Sequence, residues 1–591
     1  MNTTPSRREF IVQAAGTIAT VALANSVGGC ASNTPPAVFQ YGVASGDPLT
    51  DRIILWTHAK IPQSTDSVSL TWQVATDAAF SSVVSTGQVL ATRDTAFTAK
   101  VDATGLSAGS TYYYRFFDSA GSISVTGTTR TLPKSDVTSV RLAVFSCSLY
   151  SEGYFNAYDA AAKSDAQYAI HLGDYIYEYA SDPSRYGNKD AVALGRVTSP
   201  ANEIVSLDDY RTRYATYRGD ASLQALHAKM PMIAIWDDHE FANNAWVDGA
   251  ENHTSSQGDW ATRKNNAAKA YHEWMPIRTD SGGNLFKIYR KFDFGSLMSL
   301  YMLDTRIEGR DRQYDSYGDS DGGIGRYVTA LTSGSDATHR MMSATQQSWL
   351  TEGIKSSTGT WQVLGNQDIM ARMWFPASVL QAQNTAFANP TAANQQAVLK
   401  AINDYLTAKA TRFAGGAAAL SSAQTSLLDS KINPRIPYNL DSWDGYPIQR
   451  ETILQTVKAA GKKVVTLSGD SHNAWFANVT TLAGEKVGWE FAGTSVTSPG
   501  FESVGLGGLA GALDGSSLST QLGSAAIGAG LGLVDDLNYV DTAQRGYLQL
   551  TVSSSSIKGE YIFVSTVKSL TYNSSIGKTI SVSTAGSVTY L

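Results

Sequence analysis

Hydrophobic and polar residues show strand-like alternation in the first part of the chain. Apolar and β-branched side chains occupy every second position in 52–57, 69–74 and 111–116, and clusters of glycine and serine separate these segments. Such alternation is typical of strands with one buried face. About seven short strands across residues 38–132 predict an N-terminal β-sandwich, and 132–134, with its central proline, predicts a linker.

Beyond residue 138 the pattern changes to short apolar runs that alternate with segments of 3.6-residue periodicity. The predicted strands are 141–145, 169–172, 232–236, 363–365 and 463–467. The predicted helices are 153–163, 208–218, 260–274, 344–356, 394–410 and 448–460. This alternation predicts an α/β domain over residues 138–591, with mixed β-sheets flanked by helices.

Two segments of this domain differ from the rest in composition. Residues 376–440 are rich in alanine and glutamine, and residues 500–538 are rich in glycine and alanine. Both are interpreted as insertions. The glycine content of the second predicts a mobile or loosely packed surface segment.

The overall composition excludes several classes of protein. With 43% hydrophobic residues, the 591-residue chain has enough apolar material for large cores, which excludes disorder over its whole length. The net charge of −6 disfavours a general nucleic-acid binder. The only cysteines are Cys30 and Cys147, so a disulfide framework is excluded. No apolar run of membrane-spanning length follows residue 30.

Residues 1–30 are typical of a targeting segment. The sequence from Ser6 to Ile11 resembles the twin-arginine (Tat) export motif, and small, mildly apolar residues follow it. We therefore expect export by the Tat machinery to the periplasm, the cell surface or the medium. The segment Val27–Cys30 resembles a lipoprotein cleavage box, although Gly28 fits that box poorly, so lipidation of Cys30 stays open.

Side chains that bind metals follow four of the predicted strands. These side chains are Cys147, then Asp174 and Tyr177, then Asp237, Asp238 and His239, and finally Asp470 and His472. Open α/β sheets place ligands at the carboxyl ends of their strands, so these clusters point to a common site. Gly173 allows a sharp turn before Asp174, and an extended backbone would aim Asp470 and His472 to one side.

Each cluster has an alternative interpretation when it is taken alone. Cys147 can be a buried apolar residue, a nucleophile or a soft metal ligand. The turn that contains Asp174 and Tyr177 is common in proteins, and the run of ionisable residues from Asp237 to Glu240 can be a solvated loop. Adjacent carboxylates repel each other, however, and a bound cation would relieve that repulsion.

The combined motifs resemble the PhoD-type alkaline phosphatases and phosphodiesterases, a family of the calcineurin-like metallophosphoesterase superfamily that includes iron-dependent phospholipase D enzymes. The matching segments are Tyr41–Pro48, Leu55–Thr57, Glu152–Phe155, His171–Glu178, Trp236–Glu240, Leu303–Arg306, Gly469–Asn473, Phe491–Ser498 and Arg545–Tyr547. Ser471 departs from the pattern, because many members have a basic or bulkier residue there. Ser471 and the two insertions bear on which phosphate esters the protein accepts more than on whether it binds metal.

The resemblance implies a fold and a set of metal ligands. The implied fold is a metallophosphoesterase sandwich preceded by a fibronectin-III-like domain. The implied cofactors are Fe3+ and one or two Ca2+. Cys147, Asp174, Tyr177 and His472 would bind iron, Asp174 would bridge to calcium, and Asp238 and Asp470 would complete the calcium site. Thiolate and phenolate suit ferric iron, whereas carboxylates suit calcium.

Other residues have less defined expected roles. Asp237 is expected beside the ligands rather than on the metal, and Asn265 or Asn266 is a further candidate ligand. Arg306 and Arg310 are candidates for holding substrate because they follow the predicted strand at 297–303.

The expected activity is that of an exported, metal-dependent phosphoric ester hydrolase acting on a phosphate monoester or diester. A metal-bound hydroxide would attack phosphorus, and His239, next to Asp238, would protonate the leaving alkoxide. The alternatives are a phospholipase D-type phosphodiesterase, a non-catalytic surface binding protein, and a hydrolase with Cys147 as its nucleophile.

Overall fold

The structure is a computed structural model. It describes residues 37–61, 66–135, 137–314, 327–328, 332, 338–504, 507–523 and 528–591. The predicted export signal and Cys30 lie outside the described residues.

The described residues form four β-sheets. In chain order the strands are β1 (Val43–Gly46), β2 (Arg52–His58), β3 (Ser67–Ala75), β4 (Val83–Thr92), β5 (Thr98–Thr104), β6 (Thr111–Asp118), β7 (Gly127–Arg130), β8 (Ser139–Phe145), β9 (Tyr168–His171), β10 (Met232–Ala234), β11 (Arg290–Phe294), β12 (Met298–Met302), β13 (Trp361–Gly365), β14 (Trp374–Pro376), β15 (Arg435–Pro437), β16 (Lys463–Ser468), β17 (Ala474–Thr480), β18 (Lys486–Ala492), β19 (Leu537–Asp541), β20 (Arg545–Ser553), β21 (Ser556–Val564), β22 (Ser574–Ser583) and β23 (Val588–Tyr590).

Two large mixed sheets form the centre of the molecule. One has ten strands in the order β23-β22-β21-β20-β8-β9-β10-β1-β2-β5, and the other has seven in the order β11-β12-β13-β16-β18-β17-β19. Apolar residues of both sheets share one buried core, in which Ile170 and Ile233 of the first belong with Val363 and Val465 of the second. The predicted sandwich of mixed sheets flanked by helices is therefore confirmed.

Parallel strands give the two sheets a common polarity near the site. Strands β8, β9 and β10 are parallel neighbours in the ten-stranded sheet, and β12, β13 and β16 are parallel neighbours in the seven-stranded sheet. Loops that follow the carboxyl ends of both sets contain the residues singled out from the sequence. The predicted strand 232–236 is shorter than expected, since β10 ends at Ala234 and the next residues leave the sheet.

The N-terminal β-sandwich is joined to the central sheet rather than separate from it. Its core lies between β1, β2 and β5 on one side and the four-stranded sheet β4-β3-β6-β7 on the other. Strand β1 pairs in parallel with β10, with Gly46 opposite Met232. The buried Asp47 also binds Arg290 at 2.6 Å. The alternation in the sequence predicted the strands but gave no indication of this shared sheet.

Helices cover the sheets at nearly all the predicted places. They are α1 (Asn156–Ala162), α2 (Ala191–Leu194), α3 (Leu207–Arg218), α4 (Ala221–Lys229), α5 (Trp260–Trp274), α6 (Ala344–Ser356), α7 (Ala377–Ala388), α8 (Ala392–Gly415), α9 (Ser422–Leu428), α10 (Pro447–Ala459), α11 (Ala510–Leu513) and α12 (Ser519–Leu522). The periodicity did not reveal α4, which follows α3 after a two-residue break capped by Asp220. Among the described residues, no helix combines the length and hydrophobicity needed to cross a membrane.

The expectation that residues 500–538 form a loosely packed surface segment is wrong for the part that the structure describes. Leu513, Leu531 and Leu533 are buried in a core that they share with α7 and α8 of the other insertion. Gly532 lies against the backbone of Leu513, where a Cβ would collide. The glycines of this segment therefore permit close backbone packing, which composition alone does not distinguish from mobility.

Buried neutral histidines make the stability of this fold sensitive to acid. Burial, with a contribution from Lys60, lowers the pKa of His58 to about 4. The unfolded chain therefore binds a proton near pH 6.5 that the folded chain takes up only near pH 4, so stability falls as the pH falls between these values. The His58 ring packs against Tyr41 and Trp274.

We predict that His58→Phe, which keeps an aromatic ring, weakens this pH dependence. Between pH 7.5 and pH 5, the wild type should lose ~2 kcal/mol more unfolding free energy than the variant. Urea unfolding at both pH values measures the difference. Equal losses of unfolding free energy in the two proteins would contradict the assignment of this pH dependence to His58.

Candidate metal centre

The candidate site lies where the carboxyl ends of the two parallel sets meet. Cys147 follows β8, Asp174 follows β9, Asp238 follows β10, and Asp470 follows β16 of the opposite sheet. All four side chains are largely or fully buried. The fold thus brings together residues from distant parts of the sequence, as the strand-end pattern predicts.

Ligand-type atoms form four overlapping groups among the described residues; one of them, Asp368, Asp441 and Asp470, surrounds Arg306, and the other three form the candidate site. In each group one atom from every residue lies within 4.8 Å of the others. The three groups of the site are Cys147, Asp174 and His472, then Asp174, Asp238 and His239, and then Asp237, Asp238 and Asp470. Asp174 belongs to two groups and Asp238 to two, so the arrangement has the form of two adjacent cation sites with shared carboxylates.

Tyr177 completes the first group. Its hydroxyl donates a hydrogen bond to Asp174 Oδ2 at 2.9 Å and lies 3.3 Å from His472 Nε2 and 2.7 Å from Ser498 Oγ. The three-residue spacing from Asp174 therefore returns the phenol to the same side of the turn. Sulfur, phenol, imidazole and carboxylate converge here, which is a donor set suited to ferric iron.

The backbone at these ligands is held in an uncommon conformation. Cys147, Asp174, Asp470 and His472 have φ values of 61°, 55°, 54° and 59°, in the left-handed region that non-glycine residues rarely adopt. The backbone from Asp470 to His472 is therefore not extended, the condition under which the sequence placed both side chains on one side, yet both side chains reach the site. Strained residues of this kind cost about 1–3 kcal/mol each and concentrate at functional sites.

Glu240 holds the Asp174 turn in place. Its buried carboxylate accepts hydrogen bonds from the backbone N–H groups of Asp174, Tyr175, Ile176 and Asp237. Gly173, at φ 108°, lies against Asp237, where a Cβ would collide. The sequence predicted the role of the glycine, but Glu240 was expected only as part of a charged run.

Several acidic oxygens at the site lack partners. Asp174 Oδ1 and Asp237 Oδ2 are buried and have no hydrogen-bond partner among the described residues. Burial and neighbouring carboxylates raise the pKa values of Asp237 and Asp470 well above the ordinary range, although Arg306 opposes the shift. A buried carboxylate without a counter-charge is costly, and a bound cation would remove that cost. The residues present therefore fit metal binding.

Cys147 is poorly suited to act as a nucleophile by itself. Burial, with the negative charge of Asp174, raises the pKa of its thiol well above the usual value. Nucleophilic cysteines require a lowered pKa, so the interpretation of Cys147 as the nucleophile of a metal-free hydrolase is disfavoured.

His239 has the contacts of a proton donor. Its Nδ1 lies 2.6 Å from Glu178 Oε2, and its ring centroid lies 4.2 Å from that of Tyr177. Burial by itself lowers the pKa of His239, but the charges of Asp238, Glu178 and Asp174 outweigh burial and raise it well above the ordinary value. Sequence reasoning missed Glu178, because a glutamate next to two tyrosines carries no spacing signal.

Arg306 and Arg310 are not available to substrate. Both side chains are fully buried. Arg306 contacts Asp237 at 2.6 Å, Asp441 at 2.8 Å, Asp368 at 3.0 Å and Asp470 at 3.1 Å. Arg310 also pairs with Asp441. The proposed role in holding substrate is therefore wrong, and these arginines instead balance the charge of the carboxylates.

Asn265 and Asn266 are not at the site. Both lie on α5, where their side-chain amides donate to the carbonyl oxygens of Ala261 and Val205. Two other asparagines are nearer. The backbone N–H of Asn244 donates to Asp238 Oδ2 at 2.5 Å, and that of Asn243 donates to Glu178 Oε1 at 2.8 Å.

The chain is similar to known proteins over most of its length. The family model "PhoD-like phosphatase" matches residues 142–561, and the model of its N-terminal domain matches residues 23–133. The chain is 34% identical over 523 residues to alkaline phosphatase D of Bacillus subtilis (strain 168), a match that covers 84% of this chain and 77% of that protein.

A solved structure titled "Structure of PhoD" superposes with a TM-score of 0.71 at 28% identity, covering 95% of this chain and 93% of that one. The resemblance inferred from the motifs is confirmed. The chain belongs to the PhoD-like phosphatase family and is a phosphoric ester hydrolase.

Proposed function

We propose that this protein is an exported phosphatase or phosphodiesterase that requires Fe3+ and Ca2+. The observation that carries the proposal is the overlap of the three ligand groups on Asp174 and Asp238, with buried carboxylate oxygens left unpartnered. Cys147, Asp174, Tyr177 and His472 would hold iron, while Asp174, Asp238 and Asp470 would hold calcium. When bound, the cations supply Lewis acidity toward the phosphoryl oxygens and a nucleophilic oxygen at neutral pH.

The residues around the metal ligands would orient the ester and supply the proton. His239 is the general acid of this proposal. Its Nδ1–H donates to Glu178, which leaves Nε2–H for the departing alkoxide oxygen. Asp238 keeps the imidazole charged and accepts the backbone N–H of His239 at 2.9 Å. The rings of Tyr177 and Tyr179, which pack on His239, limit the access of water.

Elemental analysis tests the metal assignment. We expect about one iron per chain, together with calcium, in protein purified after maturation in its own export pathway. Cys147→Ser should lose most of the iron and keep calcium, whereas Asp174→Asn should lose both because it belongs to two ligand groups. Asp404→Asn, in the exposed pair with Lys400, is the control and should retain both metals. Zinc alone, or unchanged iron in Cys147→Ser, would overturn the assignment.

The pH profile of hydrolysis tests the role of His239. A general acid must be protonated, so activity should fall as the pH rises through its pKa. Glu178→Gln removes a charge that raises this pKa, and we expect the alkaline limb of kcat to move to lower pH by about one unit. Glu251→Gln is the matched control, since Glu251 binds the side chains of Asn243 and Asn244 instead. An unmoved alkaline limb with intact metal content would exclude His239 as the acid.

Export is proposed from the twin arginines near the N-terminus. Replacing Arg7 and Arg8 together by lysine should leave the protein in the cytoplasm, as measured by cell fractionation. Cys30→Ala then separates two modes of localisation. A lipid-anchored protein would move from the membrane fraction to the soluble fraction, whereas a freely secreted one would not. Unimpaired export of the double lysine variant would refute the Tat proposal.

A further inference from the structure

An apolar pocket opens directly beside the candidate metal centre. Its cavity volume is about 90 Å³, and its lining includes Asp470, a candidate metal ligand, and the neighbouring Ser471. Phe375, Tyr438, Trp475 and Phe501 supply its aromatic lining. A group attached to a phosphorus atom at the metal centre would therefore lie within reach of these rings.

Four aromatic rings form a continuous lining. The ring centroids are 5.4 Å apart for Phe375 and Tyr438, 5.9 Å for Tyr438 and Phe501, and 5.6 Å for Phe501 and Trp475. The last two pairs meet edge to face, at 69° and 81°, so the rings form perpendicular walls. Such walls offer large apolar surface in fixed positions.

Ser471 keeps this pocket open. Its hydroxyl accepts a hydrogen bond from Trp475 Nε1 at 2.6 Å, which holds the indole against the wall. A bulkier side chain at this position would project into the space between Trp475 and Asp470. The small side chain of Ser471 thus has a physical consequence next to the candidate metal centre.

The two predicted insertions supply four of the eleven residues that line the pocket. Tyr438 belongs to the first insertion and Phe501 to the second, and both pack on the apolar core that the insertions share. These segments therefore contribute to the pocket beside the candidate site and do not form a separate surface feature.

We propose that this pocket binds the apolar alcohol portion of a phosphate ester, so that the enzyme prefers esters of bulky alkyl or aryl alcohols. This inference rests on the proposed hydrolase function and specifies its substrate class. Apolar contact is favoured over recognition of a cation because the one acidic residue in the lining, Asp470, is paired with Arg306 at 3.1 Å. The remaining polar lining residues, Asn439, Ser442 and Ser471, are neutral.

A set of alkyl esters with similar reactivity tests the proposal. Propyl phosphate, 3,3-dimethylbutyl phosphate, 3-phenylpropyl phosphate and phosphocholine are compared, each as the monoester and as its methyl diester. Phosphocholine has the shape of the dimethylbutyl ester but bears a positive charge. We expect kcat/KM to be about tenfold higher for the dimethylbutyl and phenylpropyl esters than for the propyl ester, as burial of a few extra carbons allows.

Variants locate the preference in the pocket. Phe501→Ala and Tyr438→Ala should each reduce the dimethylbutyl-to-propyl ratio of kcat/KM by about fivefold. Phe413→Ala, which removes a ring that is 45% exposed on α8, is the matched control and should leave the ratio unchanged. Iron content, measured in parallel, identifies a variant whose metal centre is damaged.

The outcomes separate the two proposals. If no ester is hydrolysed by the metal-loaded protein, the proposed function fails. If all esters are hydrolysed without a preference, or the pocket variants keep the wild-type ratio, the pocket proposal alone fails. A tenfold preference for phosphocholine over its neutral isostere would overturn apolar recognition in favour of an aromatic cage for a quaternary ammonium.

Discussion

Repulsion among buried carboxylates is the constraint on which the centre of this structure depends. Asp174, Asp237, Asp238 and Asp470 approach one another at the edge where two sheets meet, in surroundings that stabilise charge poorly. The positive charges of Arg306 and His239 each offset part of the negative charge of these carboxylates. Asp174 Oδ1 and Asp237 Oδ2 have no hydrogen-bond partner among the described residues, and a bound cation would compensate their charge. The need to balance this negative charge therefore connects the buried ion pairs of the fold with the candidate metal centre.

The residues of the candidate metal centre could be predicted from the sequence because their signal is local. An apolar strand followed by a glycine and an acidic residue, as at Leu172–Asp174 and Ser468–Asp470, specifies a strand end with a polar side chain at its tip. The charge-balancing residues have no such signal. Arg306 meets Asp441 from 135 positions away in the chain, and nothing near either residue indicates the pairing. Because buried ion pairs arise from tertiary packing, local patterns assigned Arg306 to substrate instead.

A similar distinction applies to the fold. Period-two and period-3.6 patterns located six of the twelve helices of the described residues and the strands that lead into the candidate site, since each pattern reflects one buried face. The pairing of β1 with β10 could not be predicted from the sequence, because both strands are short and compatible with several neighbouring strands. The glycine-rich second insertion was misinterpreted for a related reason. Glycine permits both mobility and close packing, and only the partner surface, here Leu513 and the helices of the first insertion, decides between them.

The shared ten-stranded sheet has a consequence for how the chain reaches its native state. Strand β1 leaves the ribosome early, but its partner β10 follows only after β8 and β9, and β8 is in turn completed by β20 close to the C-terminus. Such pairings between distant segments are slow to form, because long loops must close first. Strands β1 and β20 thus belong to one sheet, and β1 can pair with β10 only after residues 232–234 have been synthesised. An incomplete chain would present unpaired strand edges, which makes it a natural target for chaperones and proteases.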